Sequence, residues 1–156
     1  MMPPLLLAIS LCFPPSAPPS SMCSCLIRPG PDSARGLAAL RIADVVFVGK
    51  VASVVDTTQS TGIPHFLRVT FMVQQAWKGH VAKSITVLTG AGGGDCGFEF
   101  VVGTQYLVFA MAEATGVIHT RACSPTQPLG TARDYLVGLG EPRIRYALAD
   151  SSSQSP

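Results

Sequence analysis

The residues best placed to do chemistry in this sequence are cysteines, beginning with the tripeptide Cys23-Ser24-Cys25. Two cysteines one residue apart do not readily bond to each other, because a disulfide needs Cα atoms roughly 5.5–6 Å apart and a specific torsion. Each is therefore expected to bond with a distant partner, and Cys96 and Cys123 are available. A tripeptide fixed at two points is a rigid edge, which indicates that it acts on something outside the protein.

The oxidation state of these cysteines depends on the compartment, which the N-terminal sequence indicates. Leu5–Phe13 is an apolar run of nine residues, far shorter than the ~20 residues of a membrane-spanning helix and typical of a signal peptide. We predict a signal peptide at residues 1–22 and a secreted or extracellular protein (periplasmic, if bacterial). The alternatives are a Pro-rich tail or translation from Met22. Removal of the segment takes Cys12 with it and leaves an even number of cysteines, which favours two disulfides.

Other kinds of chemistry find little support in the sequence. The alternative for Cys23 and Cys25, in a reducing compartment, is a thiol metal site or copper site. The motifs His-Glu-x-x-His, Gly-x-Ser-x-Gly and Cys-x-x-Cys are absent, so we predict no enzymatic activity. The Gly-rich loop at 90–95 is not followed by Lys and Ser or Thr, as a phosphate loop would be. The three histidines, at 65, 80 and 119, lie in separate segments. We therefore predict no cofactor of the protein's own.

Length and charge restrict the domain organisation and the partners. The chain has 156 residues and a formal net charge of +2, which fits one domain of ordinary size. A charge this small does not favour nucleic acid or an anionic membrane as a partner. We predict no nucleic-acid partner and no stable membrane insertion.

The elements that must position the cysteines are mostly short strands. A helix is predicted from a cap at Asp32 or Ser33 to about Arg41, and a second from a Thr131/Asp134 capping pattern to about Leu139. Gly49 is expected to form a bulge or a sharp bend in the first strand. The strands are predicted at 45–55, 67–74, 84–89, 98–102, 105–111 and 117–123.

This pattern predicts a mainly β fold, a closed five- to six-stranded barrel of the OB type with short flanking helices, stapled by two disulfides. A sandwich is the alternative. The residues expected to be buried inside the closed antiparallel barrel are Val45, Phe47, Leu67, Val69, Phe71, Val87, Leu107 and Phe109.

Several short motifs accompany the cysteines in a specific order. After Cys-x-Cys and the predicted helix come Ala43–Val51, Ala76–Gly79, Cys96-Gly97, Val102-Gly103, Tyr106–Val108 and Cys123. In this order the sequence resembles the netrin-like family, and more specifically the N-terminal domain of the tissue inhibitors of metalloproteinases. The resemblance covers about Cys23 to Leu139, so we predict a domain at 23–140 and a tail at 141–156.

The resemblance implies a fold, a pairing and a function. It implies an OB barrel with disulfides Cys23–Cys96 and Cys25–Cys123, and an inhibitory edge of Cys23, Ser24, Cys25, Asp95 and Cys96. In such inhibitors the amine and carbonyl oxygen of the first cysteine, here Cys23, chelate the catalytic zinc of the protease. The next residue, here Ser24, points into the specificity pocket. The implied partners are zinc metalloproteinases, and the only metal is the zinc shared with the protease.

The sequence departs from the family pattern at three points. The inhibitors carry a second, disulfide-rich domain, for which we expect no counterpart in this sequence. The sequence also lacks the cysteines for the third disulfide of the N-terminal domain, and its loop before Cys96 is Gly-rich where the inhibitors have larger contact residues. The alternative function is therefore a netrin-like binding or structural module without inhibitory activity.

Overall fold

The computed structural model describes residues 23–26, 29–57, 66–91 and 95–147. The predicted signal peptide at 1–22, His65 and the end of the predicted tail, residues 148–156, lie outside the described residues.

Five strands form a closed barrel, as predicted. Strand β1 pairs with β2, β2 with β3, β3 with β5, β5 with β4, and β4 again with β1. The β3–β5 pairing is parallel, so the expectation of a purely antiparallel barrel is wrong at this one seam. The strands are β1 Val45–Asp56, β2 Phe66–Lys78, β3 Ser84–Gly90, β4 Gln105–Ala112 and β5 Ile118–His119.

The remaining elements flank the barrel. Two helices lie side by side outside it, and two short strands extend the sheet from β4 and β2. The helices are α1 Asp32–Ile42 and α2 Arg133–Leu139, preceded by a 3-10 turn at Leu129–Thr131, and the short strands are β6 Gln127–Pro128 and β7 Ile144–Arg145.

Strand β1 is apolar along its first half because both of its faces are buried. Successive side chains of a strand point to opposite faces. Phe47 and Val51 accordingly lie in the barrel interior, while Val46 and Val48 pack outside it, beneath the helices. The predicted bulge is confirmed, since the pairing of β1 with β2 shifts register between Val48 and Gly49.

The barrel interior is organised around an aromatic cluster. The ring of Phe71 is fully buried and meets the rings of Phe47 and Phe100 edge-on, at centroid distances of 5.3 and 5.1 Å. The eight residues expected in the core are buried except Leu67, which is half-buried. Two of them, Leu107 and Phe109, belong to the outer cluster beneath the helices and not to the barrel interior.

Two predicted strands differ from the structure. Residues 98–102 form no strand; instead the rings of Phe98 and Phe100 turn into the barrel against Tyr106. The alternation of apolar and polar residues in this segment therefore reflects the packing of its two phenylalanine rings and not a strand. The strand predicted at 117–123 is reduced to Ile118–His119, because the chain then turns away to reach Cys123.

The predicted side-chain caps are also wrong. Helix α1 follows Pro31 and has no side-chain cap, and the carboxylate of Asp32 instead pairs with Arg35 one turn on. Helix α2 follows Ala132, and the hydroxyl of Thr131 donates to the carbonyl oxygen of Pro128 at 2.9 Å. Both helices are held by packing on the barrel and on each other, which makes a strong cap dispensable.

Candidate functional site

The tripeptide Cys23-Ser24-Cys25 is fixed to the body of the protein on both sides of the serine. The disulfides are Cys23–Cys96 and Cys25–Cys123, with Cα atoms 5.6 and 5.2 Å apart, and they confirm the pairing that the family resemblance implies. They join residues 73 and 98 positions apart in the chain. Ser24 is exposed between the two attachment points.

The first attachment point is the loop after β3, which folds back on itself through two glycines. A Cβ on Gly97 would lie 1.9 Å from the carbonyl oxygen of Gly90, so only glycine fits at position 97. The backbone N–H of Phe98 donates to the hydroxyl of Thr89 at 2.7 Å. Cys96 lies between these contacts with a φ of 57°, in the left-handed region that non-glycine residues seldom adopt.

Asp95 holds this loop in shape. One carboxylate oxygen accepts a hydrogen bond from the N–H of Ala91 at 2.8 Å, and the other from the N–H of Gly97 at 3.0 Å. The sequence placed Asp95 at the inhibitory edge. The structure shows its carboxylate bound to the backbone of its own loop, next to the cysteine that anchors Cys23.

The second attachment point is the turn that follows β5. The hydroxyl of Thr120 donates to the carbonyl oxygen of Phe109 at 2.8 Å and lies 2.9 Å from the hydroxyl oxygen of Ser124. The N–H of Phe109 donates to the hydroxyl of Thr126 at 3.0 Å. Thr120 and Thr126 are buried, so this hydroxyl network fixes the turn that carries Cys123.

The sequence pattern does not predict this network. Its only signal is the occurrence of three hydroxyl residues around a cysteine and a proline, which is equally typical of an exposed turn.

The two attachment points are also joined directly. The N–H of Ala122 donates to the carbonyl oxygen of Cys96 at 2.7 Å. The edge is therefore one unit, in which Cys23 is half-buried and Ser24 and Cys25 are exposed. A partner that approaches Ser24 meets backbone held by two disulfides and this hydrogen bond.

The state of the sulfurs decides between the two chemistries proposed for the cysteines. All four are in disulfides, so the thiolate metal site considered for Cys23 and Cys25 is not formed. Within the described ranges, no group of three or more His, Cys, Asp or Glu side chains is arranged to hold a metal ion.

Neither a family model nor a curated protein matches the chain. Among the described helices, none has the length and apolar character needed to cross a membrane.

Proposed function

We propose that this protein is a secreted inhibitor of zinc metalloendopeptidases that acts through the edge Cys23-Ser24-Cys25. One observation carries the proposal: each cysteine beside the exposed Ser24 is bonded to a different loop of a rigid barrel. The motif resemblance to the N-terminal domain of the tissue inhibitors of metalloproteinases supplies the class of target. Two disulfides also support an oxidising compartment such as the extracellular space.

The proposed mechanism uses the backbone of Cys23 as a ligand of the protease's zinc. A catalytic zinc keeps one coordination position open for water or substrate. When the chain begins at Cys23, its α-amine and carbonyl oxygen would chelate the zinc in place of that water, each atom as one ligand, and Ser24 would enter the adjacent pocket. An α-amine has a pKa near ~7.7–8.0, so little free energy is needed to deprotonate it for zinc binding at neutral pH.

In this mechanism the disulfides make the edge a rigid inhibitor of the protease, where a flexible peptide would be a substrate of it. A free N-terminal tripeptide would lose conformational entropy on binding, at about 1–2 kcal/mol for each backbone residue fixed. Here the Cys23–Cys96 and Cys25–Cys123 bonds remove most of that freedom before binding. A preorganised terminus therefore binds more tightly than a flexible peptide of the same sequence.

The proposal predicts that one extra residue before Cys23 abolishes inhibition. Protein that begins at Cys23 and protein that begins with an added Ala are compared against a panel of zinc metalloproteinases with a fluorogenic peptide substrate. The added residue converts the amine into an amide, which has no lone pair for zinc. The control is thermal unfolding, which should be the same for both forms.

Equal inhibition by the two forms contradicts zinc chelation by the amine. If neither form inhibits any protease in the panel, the protein is a binding or structural module, the alternative raised by the sequence.

A second prediction concerns pH. Inhibition should weaken as the pH falls below about 8, near the usual pKa of an α-amine, because the protonated amine cannot bind zinc. The inhibition constant is measured between pH 6 and 8.5 on one protease, and a hydroxamate inhibitor of the same protease corrects for titration of the enzyme. An inhibition constant that follows the hydroxamate at every pH would contradict a role for the amine.

A further inference from the structure

A groove lies beside the Cys25–Cys123 disulfide, between helix α1 and the turn that follows β5. Its volume is about 760 Å³, within the roughly 300–1,000 Å³ of sites that bind small molecules. The proposed inhibition does not use this groove. Its apolar wall is formed chiefly by Ala34, Ala38, Ile42, Phe109, Met111 and Pro125.

The apolar wall is open to water at its margin. Ile42 and Met111 are 57% and 40% exposed, and Leu26, which also lines the groove, is fully exposed. Isolated exposed apolar side chains are ordinary, but several around one concave surface are typical of a binding site.

The polar groups of the groove are cationic or neutral. Arg35, His119 and Arg121 line it, and none of the lining residues is Asp or Glu. The guanidinium of Arg35 pairs through one terminal nitrogen with Asp32, and Nδ1 of His119 lies 3.6 Å from a carboxylate oxygen of Glu113.

Two nitrogens of these side chains are buried without a hydrogen-bond partner: Nε of Arg35 and Nδ1 of His119. A buried polar atom left unpaired is destabilising, and such atoms in native proteins call for an explanation. Neither nitrogen has accessible surface in this structure, so an acceptor in the groove would reach Nε of Arg35 only after that side chain turned outward. The exposed side chain of Arg121 has no hydrogen-bond or ion-pair partner among the described residues and adds a positive charge at the rim.

We propose that the groove binds an amphipathic carboxylate, a medium-chain fatty acid or a close analogue. Its apolar chain would lie along the Ala38 wall and its carboxylate would face Arg35 and Arg121. A protein segment fits less well, because its backbone N–H groups would lie against an apolar wall with few acceptors.

The test titrates the oxidised full chain with decanoate, octanoate and hexanoate by calorimetry, and maps the site by NMR on the amides of α1. Affinity should fall about fourfold for each methylene removed, as expected when apolar surface leaves a groove. Decanol, which has the chain but not the charge, should bind more weakly than decanoate.

Two variants locate the site, each with a matched control. Arg121→Glu should weaken decanoate binding by at least about tenfold, because it replaces a charge-assisted contact by repulsion. Ala38→Phe should do the same by filling the groove. Arg133→Glu and Leu37→Phe, which change exposed residues outside the groove, should stay within about twofold of the native chain.

Thermal unfolding checks that each variant is folded. If Ala38→Phe does not fold, Arg121→Glu still tests the proposal, because it changes an exposed residue. The proposal is overturned if decanoate does not bind saturably, or if all four variants bind it equally. Binding of an acidic apolar peptide but not of decanoate would also overturn it and identify a protein partner. None of these three results bears on the proposed inhibition, which is tested separately with the Ala-extended form.

Discussion

At the scale of single residues, Asp95 shows how an acidic side chain shapes the loop that carries a bonded cysteine. Its carboxylate accepts two backbone hydrogen bonds within the loop that carries Cys96. A Cβ on Gly90 would lie 2.3 Å from the same carboxylate. Any residue larger than glycine at position 90 would therefore clash with the side chain of Asp95. Asp95 is thus a positioning residue for the edge, with Cys96 as the link.

We predict that Asp95→Ala weakens the proposed inhibition and lowers the free energy of unfolding by about 1.5–3 kcal/mol, because two hydrogen bonds to a charged group are lost at an exposed site. Asp95→Asn should lower the free energy of unfolding by less, because its amide oxygen can still accept one of the two hydrogen bonds. The measurements are an inhibition constant and chemical denaturation. Glu99→Ala, an exposed acidic residue nearby in the chain, is the control. A loss with Glu99→Ala as large as with Asp95→Ala would contradict this role.

At the scale of elements, the two helices pack closely because glycines line their contact. A Cβ on Gly138 of α2 would lie 2.0 Å from the carbonyl oxygen of Ser33 in α1, and one on Gly36 would lie 2.8 Å from the carbonyl oxygen of Tyr135. Each helix therefore touches the backbone of the other. Lys78 adds a tie from β2, since its Nζ donates to the carbonyl oxygens of Leu40 and Arg41 at 3.0 and 3.1 Å.

This contact predicts that Gly138→Ala destabilises the protein by about 1–3 kcal/mol, although alanine is the better helix former, because the helices must separate to admit a methyl group. Gly130→Ala is the matched control: a Cβ there would meet no atom within 4 Å. Its effect should be close to zero. Chemical denaturation measures both, and a neutral or stabilising Gly138→Ala would show that the helices do not approach this closely.

At the scale of the whole molecule, the disulfides connect an N-terminal edge to a barrel that has its own core. The interior cluster around Phe71 contains none of the four bonded cysteines. The barrel should therefore keep its fold when either bond is removed, at a cost in stability that comes mainly from the unfolded chain.

We predict that Cys25→Ser with Cys123→Ser lowers the free energy of unfolding by up to about 4 kcal/mol and abolishes inhibition while the barrel stays folded. The matched variant is Cys23→Ser with Cys96→Ser. Because loop entropy grows only with the logarithm of loop length, the two losses should agree to within about 0.5 kcal/mol for loops of 73 and 98 residues. Circular dichroism and denaturation test both variants, and inhibition that survives in either would contradict the need for a fixed edge.

The sequence by itself determined what is local or periodic. The alternation of β2 predicted its strand, and Gly49 predicted the bulge in β1, because side-chain period and glycine's freedom are properties of a few adjacent residues. The spacing of Cys23 and Cys25 excluded a bond between them for a similarly local reason. The pairing with Cys96 and Cys123 came from the family resemblance, since spacing left it open.

The tertiary structure alone decided which face of each strand became the core and what the loops do. Leu107 and Phe109 have the composition of barrel residues, yet they lie under the helices because β4 is covered on both faces. Phe98 and Phe100 alternate like a strand, yet they fill the barrel from an irregular segment. Thr120 bonds through its hydroxyl to the carbonyl oxygen of Phe109 in β4, whereas Asp95 bonds to Ala91 and Gly97 of its own loop. The packing of the four aromatic and leucine side chains and the bond of Thr120 depend on barrel closure, which joins segments far apart in the chain.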